Sequence, residues 1–351
     1  MRRSSHNPTP AVEGAGAARA KPVPRIRARD RALAPAGPER RSSARRCGEN
    51  VATKEEHVSE FAGPRPNVRR KLRESLTDAA PVVAPGVYDG ITARLAEQAG
   101  FGAVYLSGFG VAASLLGRPD IGLVTATEMA DTARRLSQAV DVPLIADADT
   151  GYGNALNVVR TVHDYEQAGV AAIQLEDQES PKRCGHMSGK SVLDVDEACA
   201  KIRAAVSART DPDLLIIART DAAAVHGLPA AIERARRFAA EGADVLFVEA
   251  PRTVEDIETV ARELSGHCLL FNRVEGGNTA EIPFSRLAEL GFGVVISPVS
   301  ALLAATPAIR GIFETFRAQH STDSRDMETF QGFLETIGLP GIREQEQRFS
   351  S

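Results

Sequence analysis

The chain has 351 residues, 43% of them apolar, enough to bury a large core in one domain. It has no tryptophan and only 5% aromatic residues, which argues against a base-stacking platform, and no stretch approaches the roughly 18 apolar residues that a membrane span requires. The formal charge of −4 is uneven: residues 1–50 hold twelve Arg and Lys against four Asp and Glu, so the remainder is acidic and ill suited to nucleic acid or an anionic membrane.

Residues 1–65 are rich in Arg, Ala, Pro, Ser and Gly and lack apolar periodicity. They read as a disordered extension. A transit-like leader and an over-extended start are the other two readings of this arm. Cysteines stand at 47, 184, 199 and 268 with no CxxC spacing, which suits a reducing, cytoplasmic setting.

From about residue 68, short apolar runs bounded by Gly, Pro and Asp alternate with helical patterns. The runs are 82–84, 103–106, 144–148, 171–175, 214–218, 245–248, 268–271 and 294–296. The helical segments are 90–99, 127–139, 154–168, 196–207, 228–241, 254–264, 279–290 and 301–317. Apolar strands joined by crossover helices predict a parallel sheet. Eight such units predict a (β/α)8 barrel over 66–318. The rival, an open doubly wound sheet, would place GxGxxG after the first run, and none is there. Residues 319–351 read as a helical tail packed across the barrel or a neighbouring subunit, with a break at Leu339-Pro340-Gly341.

Barrel enzymes carry their chemistry at the C-terminal ends of the strands. Here the second run ends in Ser107-Gly108, the third in Asp147 and Asp149, and the fourth in Glu176-Asp177. The fifth ends in Arg219-Thr220-Asp221, the sixth in Glu249, the seventh in Asn272-Arg273 and the eighth in Ser297-Pro298. Asp147 and Asp149, two apart on a strand, are expected to face the same way. They either cap the next helix or, with Asp120 and Glu176, hold a hard cation: Mg²⁺, with Mn²⁺ as the alternative. No clustered His/Cys set suggests zinc.

Residues 178–194 form a long loop after the fourth strand, containing Lys182-Arg183-Cys184-Gly185-His186 and Lys190. A thiol flanked by cations and an imidazole is expected to lose its proton more readily than a free thiol. The bland alternative is an idle cysteine in a solvated basic loop. Cys199 and Cys268 fall in a helix and a strand and read as core.

The stretch 147–190, with its KRCGH loop, resembles the isocitrate lyase/phosphoenolpyruvate mutase superfamily. So do YLSG at 105–108, GRPDIGLVT at 117–125, IIARTDA at 216–222, VEAP at 248–251 and NRVEGG at 272–277. The likeness runs from about 71 to 350. It implies a (β/α)8 barrel whose C-terminal helical extension is swapped between subunits, in a homotetramer built as a dimer of helix-swapped dimers. It implies Asp149 as the direct Mg²⁺ ligand, with Asp147, Asp120 and Glu176 holding the ion's waters. Ser107, Gly108 and Arg219 would bind the carboxylate of an α-keto product, beside Tyr105 of the same substrate loop. Glu249 and Asn272 would complete the ring, and Cys184 would be the general acid. Lys182, Arg183 and His186 would stabilise developing negative charge.

The resemblance implies a carbon–carbon lyase acting on a small carboxylate of the 2-methylisocitrate, 2,3-dimethylmalate or 2-methylmalate type. The alternatives are oxaloacetate hydrolysis, carboxyphosphonoenolpyruvate phosphonomutase chemistry, or a degenerate barrel that only binds. Phe109 follows Ser107-Gly108 where methylisocitrate lyases usually carry a second glycine, which points toward the dimethylmalate and oxaloacetate branch.

Overall fold

The computed structural model describes residues 66–78, 80–322 and 327–350. The extension at 1–65 lies outside the described residues. Eight parallel strands close into a barrel in chain order: β1 Val82–Val87, β2 Val104–Leu106, β3 Leu144–Asp147, β4 Ala172–Glu176, β5 Leu215–Thr220, β6 Val245–Val248, β7 Cys268–Asn272 and β8 Phe292–Ser297. Around it lie α2 Gly90–Gln98, α4 Ala126–Ala139, α5 Ala155–Ala168, α6 Val195–Ala208, α8 Leu228–Ala240, α9 Val254–Glu263, α10 Phe284–Glu289 and α11 Ser300–Gln319. α1 Pro66–Ser75 precedes the barrel; α3 Gly108–Val111 and α7 Ala222–His226 are short turns at the rim; α12 Phe330–Thr336 and α13 Leu339–Phe349 form the tail.

The helices start where the sequence supplies caps. Asp89 with Thr92, Thr125 with Glu128, Asn154 with Asn157 and Thr253 with Asp256 each form a reciprocal capping box, satisfying amides that the first turn leaves unpaired. The helices then turn an apolar stripe to the sheet: Val158, Val162 and Tyr165 of α5 are fully buried. A second apolar cluster, including Ile145, Leu215, Ile217, Phe247 and Val294, fills the barrel itself. The barrel is therefore packed at its lower end and open only at the rim. α1 closes the base: Leu72 is buried against the inner cluster, and Arg69 donates to the Val170 carbonyl at 2.8 Å and to Asp211 at 2.9 Å.

β1 and β8 complete the closure, pairing Val82 with Val294 through Pro85 with Ser297. At Gly86 a Cβ would fall inside the backbone of Pro298. Gly86→Ala is expected to lower stability by ~1–3 kcal/mol, the usual cost of overpacking, read as a fall in the thermal midpoint.

All eight predicted strands are present. Three differences are physical. The tenth helix begins at Phe284 because Pro283 ends the extended approach before it. The tail breaks at Gly338, which has φ 86°, whereas Pro340 sits in the first turn of α13, where a missing N–H is harmless. Asp149 is not on a strand: β3 ends at Asp147, and Asp149 has φ 47°.

Candidate active site

Asp147 and Asp149 still converge, through a turn and not through strand alternation. Asp147 Oδ1 accepts from the Asp149 N–H at 3.0 Å and from Gln174 Nε2 at 3.4 Å. Its Oδ2 accepts from the Gly108 N–H at 3.3 Å. The left-handed backbone of Asp149 is held by the Glu176 N–H, which donates to the Asp149 carbonyl at 2.9 Å. A non-glycine residue held in that region stores about 1–3 kcal/mol, and such strain clusters at functional sites. Tyr105 reaches across the barrel to Gln174 Oε1 at 3.0 Å. Ser107 caps α3, its Oγ accepting from the Gly110 N–H at 3.2 Å.

Four buried carboxylates, Asp120, Asp147, Asp149 and Glu176, surround the ammonium of Lys182. Lys182 Nζ lies 2.6 Å from Asp120 Oδ1 and 2.7 Å from Asp149 Oδ1. Burial alone would lower the Lys182 pKa, but Asp149, Asp147, Glu176 and Asp120 hold it well above the usual lysine value. One ammonium does not balance four carboxylates. Burial pushes the Asp149 carboxyl up to about 7, with Lys182 opposing. It pushes Glu176 well above the usual range, with Arg219 opposing. Glu176 Oε1 is buried with no hydrogen-bond partner, and Asp149 Oδ1 meets Lys182 as an ion pair without hydrogen-bond alignment.

Four carboxylates that share the Lys182 ammonium and keep a buried, unpartnered Glu176 oxygen are a donor set that fits a hard divalent cation. Among the described residues no three candidate ligands converge closely enough to coordinate an ion directly.

The loop 178–194 is seated over this cluster. Gln178 holds it from beneath, donating to the Arg183 carbonyl at 2.8 Å and accepting from the Arg183 N–H at 2.9 Å. The Cys184 N–H donates to the Asp120 carbonyl at 3.2 Å. His186 Nδ1 accepts from the Asn278 N–H at 2.9 Å, so its proton sits on Nε2, which faces Glu249 Oε1 at 3.3 Å. Burial lowers the His186 pKa against the pull of Glu249, so the ring is neutral at pH 7. The Arg183 guanidinium turns outward to the Ser188 carbonyl at 3.2 Å and is exposed.

The expected acidic thiol is not found. Burial raises the Cys184 pKa, outweighing the His186 N–H and Arg219, so the thiol keeps its proton. The flanking cations do not reverse this because Lys182 is spent on carboxylates and Arg183 points away.

Arg219, at the end of β5, stacks 5.3 Å over Phe247 and pairs with Asp221, Glu176 and Glu249. Asn272 donates to both Glu249 oxygens, at 3.3 and 3.2 Å. These groups, with Ser107, Lys182 and Cys184, line a cavity of about 270 Å³. The apolar part of its lining comes from Phe109, Val274, Ile296, Val299 and Leu303, at the ends of β2, β7 and β8. A Cβ on Gly185 would fall on the Glu249 carboxylate and the Arg219 guanidinium. Gly185→Ala is therefore expected to hold the loop off the site and lower kcat about 10²-fold, the size of loss that a 1 Å misplacement can bring, with the thermal midpoint nearly unchanged.

Two functional groups escaped the sequence reading. Gln174, fully buried inside β4, bridges Tyr105 and Asp147; a glutamine inside an apolar run was its only signal. Asp221 stands in the fifth strand's rim triplet, but its partner Lys190 comes from the loop after β4.

A closed eight-stranded barrel with a carboxylate cluster, a buried arginine and a cysteine-bearing loop at the C-terminal ends of its strands has the layout of a barrel enzyme's active site. The family model described as phosphoenolpyruvate phosphomutase matches residues 72–317. A 2,3-dimethylmalate lyase of Eubacterium barkeri is 43% identical over 287 residues, covering 81% of this chain and 99% of the relative. A 2-methylisocitrate lyase of Aeropyrum pernix is 41% identical over 277 residues, covering 79% and 88%. A solved oxaloacetate acetylhydrolase, bound to 3,3-difluorooxalacetate, superposes with TM-score 0.79 at 37% identity, covering 83% of this chain and 99% of that one. A phosphonopyruvate hydrolase in complex with oxalate and Mg²⁺ gives TM-score 0.73 at 31% identity, covering 81% and 99%. The chain belongs to the phosphoenolpyruvate mutase/isocitrate lyase superfamily.

Proposed function

We propose that the protein is a Mg²⁺-dependent carbon–carbon lyase that cleaves a 2-hydroxy dicarboxylate of the 2,3-dimethylmalate or 2-methylmalate type to an α-keto acid such as pyruvate plus a second carboxylate. Relatives named 2,3-dimethylmalate lyase and 2-methylisocitrate lyase support a carbon–carbon lyase. The observation that carries the substrate reading is the cavity. Lys182 and Arg219 come from the ends of β4 and β5, and Phe109, Val274 and Leu303 follow β2, β7 and β8, so around the closed barrel the apolar residues stand across from these two cations. That apolar side fits a short aliphatic substituent and opposes the third carboxylate of 2-methylisocitrate, which is the weaker candidate.

In this reading Asp149 would hold Mg²⁺ directly, with Asp147, Asp120 and Glu176 supporting it. When bound, the ion would acidify the substrate hydroxyl and stabilise the negative charge of the keto acid that forms. Arg219, with Ser107 and the Gly108 amide, holds the carboxylate next to the hydroxyl. As the hydroxyl proton passes to a carboxylate of the cluster, Glu176, whose Oε1 is buried without a hydrogen-bond partner, the bond between the hydroxyl-bearing carbon and its neighbour breaks. The electron pair moves onto the departing carboxylate as an enediolate. Lys182 and neutral His186 offer N–H groups to that charge. The Cys184 thiol then gives its proton to carbon. A seated loop keeps water from competing for the carbanion.

Oxaloacetate hydrolysis to oxalate and acetate is the second reading, supported by the similarity to the acetylhydrolase structure. A Mg²⁺-containing panel of the two dicarboxylates, 2-methylisocitrate and oxaloacetate separates the readings by product.

The assembly proposed is a homotetramer of helix-swapped dimers. None of the 20 residues of α11 is buried. Ile309, Phe313 and Phe316 on α11 and Phe330 on α12 are 53%, 67%, 53% and 80% exposed, an apolar surface that a second copy would cover. Phe313→Glu is expected to shift the tetramer to a smaller species in light scattering. Among the described residues no helix is long and apolar enough to cross a membrane. The cytoplasmic placement proposed rests on the free thiols Cys184, Cys199 and Cys268.

A further inference from the structure

Asp221 is fully buried and binds two cations from different parts of the site. Arg219 donates to it from Nε at 2.8 Å and from Nη2 at 3.0 Å. Lys190, on the far limb of the loop, donates to the same Oδ1 at 2.7 Å and to the Gly185 carbonyl at 2.5 Å. Asp221 is itself fixed from behind, its N–H donating to Asp177 Oδ1 at 2.8 Å. Asp177 in turn accepts from Thr220 at 2.6 Å and pairs with Arg234 at 3.2 Å. The Lys190 side chain is only 3% exposed, so this is a desolvated charge pair. Lifting the loop would remove one cation from a buried carboxylate and uncover the other, which is costly without solvent. The same motion would draw Gly185 off Arg219 and Glu249.

We propose that Lys190 and Asp221 form a latch: the carboxylate that aims Arg219 into the cavity also receives the loop's ammonium on closure, so Cys184 is seated only when Arg219 is aimed. Both are positioning residues. Asp221 acts through Arg219, and Lys190 acts through Asp221 and the Gly185 carbonyl. The inference rests on the reading above, in which Cys184 and Arg219 serve the same reaction.

The test is the rate at which iodoacetamide alkylates Cys184 in the full-length protein, resolved by peptide mass spectrometry, with and without Mg²⁺ and oxalate. In the native protein Mg²⁺ and oxalate together are expected to slow labelling. Lys190→Met is expected to label about tenfold faster, equivalent to ~1.4 kcal/mol of closure, and to lose the slowing; Lys190→Arg should restore most of both. Asp221→Asn should label faster too and also bind oxalate more weakly by calorimetry, because Arg219 loses its aim. Native-like labelling and full oxalate protection in Lys190→Met would overturn the latch. So would an equal rise at buried Cys199, which would signal general loosening. Labelling needs no turnover, so the two readings fail separately. Faster labelling in Lys190→Met with no keto acid from any substrate would sink the lyase reading and keep the latch. Native turnover with unchanged labelling would do the reverse.

Discussion

Cys184→Ser is expected to lower kcat by about 10²–10⁴-fold, the contribution typical of a well-placed proton donor. Circular dichroism and Mg²⁺ binding should be unchanged. The thiol is well suited to giving a proton: burial holds it protonated, and its loop fixes it beside Asp120 and over the cavity that Arg219 and Glu249 line. A serine hydroxyl fills the same space but is a far weaker acid. KM should move little, because Arg219, Ser107 and the Gly108 amide hold substrate in this account. Retention of native kcat by the variant would remove Cys184 from the chemistry and leave the loop as a lid alone.

Removing the cation is expected to abolish turnover, and replacing Asp149 should have nearly the same effect. Chelation followed by Mg²⁺ addition should restore activity fully in the native protein. Mg²⁺ at a hundredfold excess over its dissociation constant should stabilise the fold by ~2.7 kcal/mol, read as a rise in the thermal midpoint. Asp149→Asn tests this cleanly, because asparagine tolerates the left-handed backbone that Asp149 adopts at φ 47°. The variant should fold, lose the Mg²⁺-induced rise, and be inactive at any Mg²⁺ concentration. In the metal-free protein it should melt no lower than the native chain, since a buried carboxyl already pushed up to about 7 is replaced by a neutral group. A normal Mg²⁺ response in Asp149→Asn would move the site elsewhere.

Much of this architecture is legible in the residues. Eight apolar runs, seven of them followed by polar groups, place Asp147, Glu176, Arg219, Glu249 and Asn272 on one rim, and all five are buried around the cavity. What the sequence hides is long-range. Nothing in Asp-Ala-Asp announces that the strand stops at Asp147. That depends on the Glu176 N–H reaching the Asp149 carbonyl from the next strand. The basic character of the loop suggested an acidic thiol, but the cations are claimed by partners far away in sequence, Asp120 for Lys182 and Asp221 for Lys190. Desolvation, invisible in a string of letters, then sets the proton on Cys184. Asp221 was readable as a rim residue; its role needed the loop in place.

In the proposed reaction the site breaks a carbon–carbon bond beside a hydroxyl and returns a proton to carbon from Cys184. Proton NMR in D₂O, with Mg²⁺ and either 2,3-dimethylmalate or 2-methylmalate, measures this directly. Pyruvate is expected together with propionate or acetate carrying one deuterium at the carbon next to the carboxylate, with formation of both slowed by about 10²–10⁴-fold in Cys184→Ser. Pyruvate absent from every substrate, with oxalate and acetate formed from oxaloacetate, would contradict it.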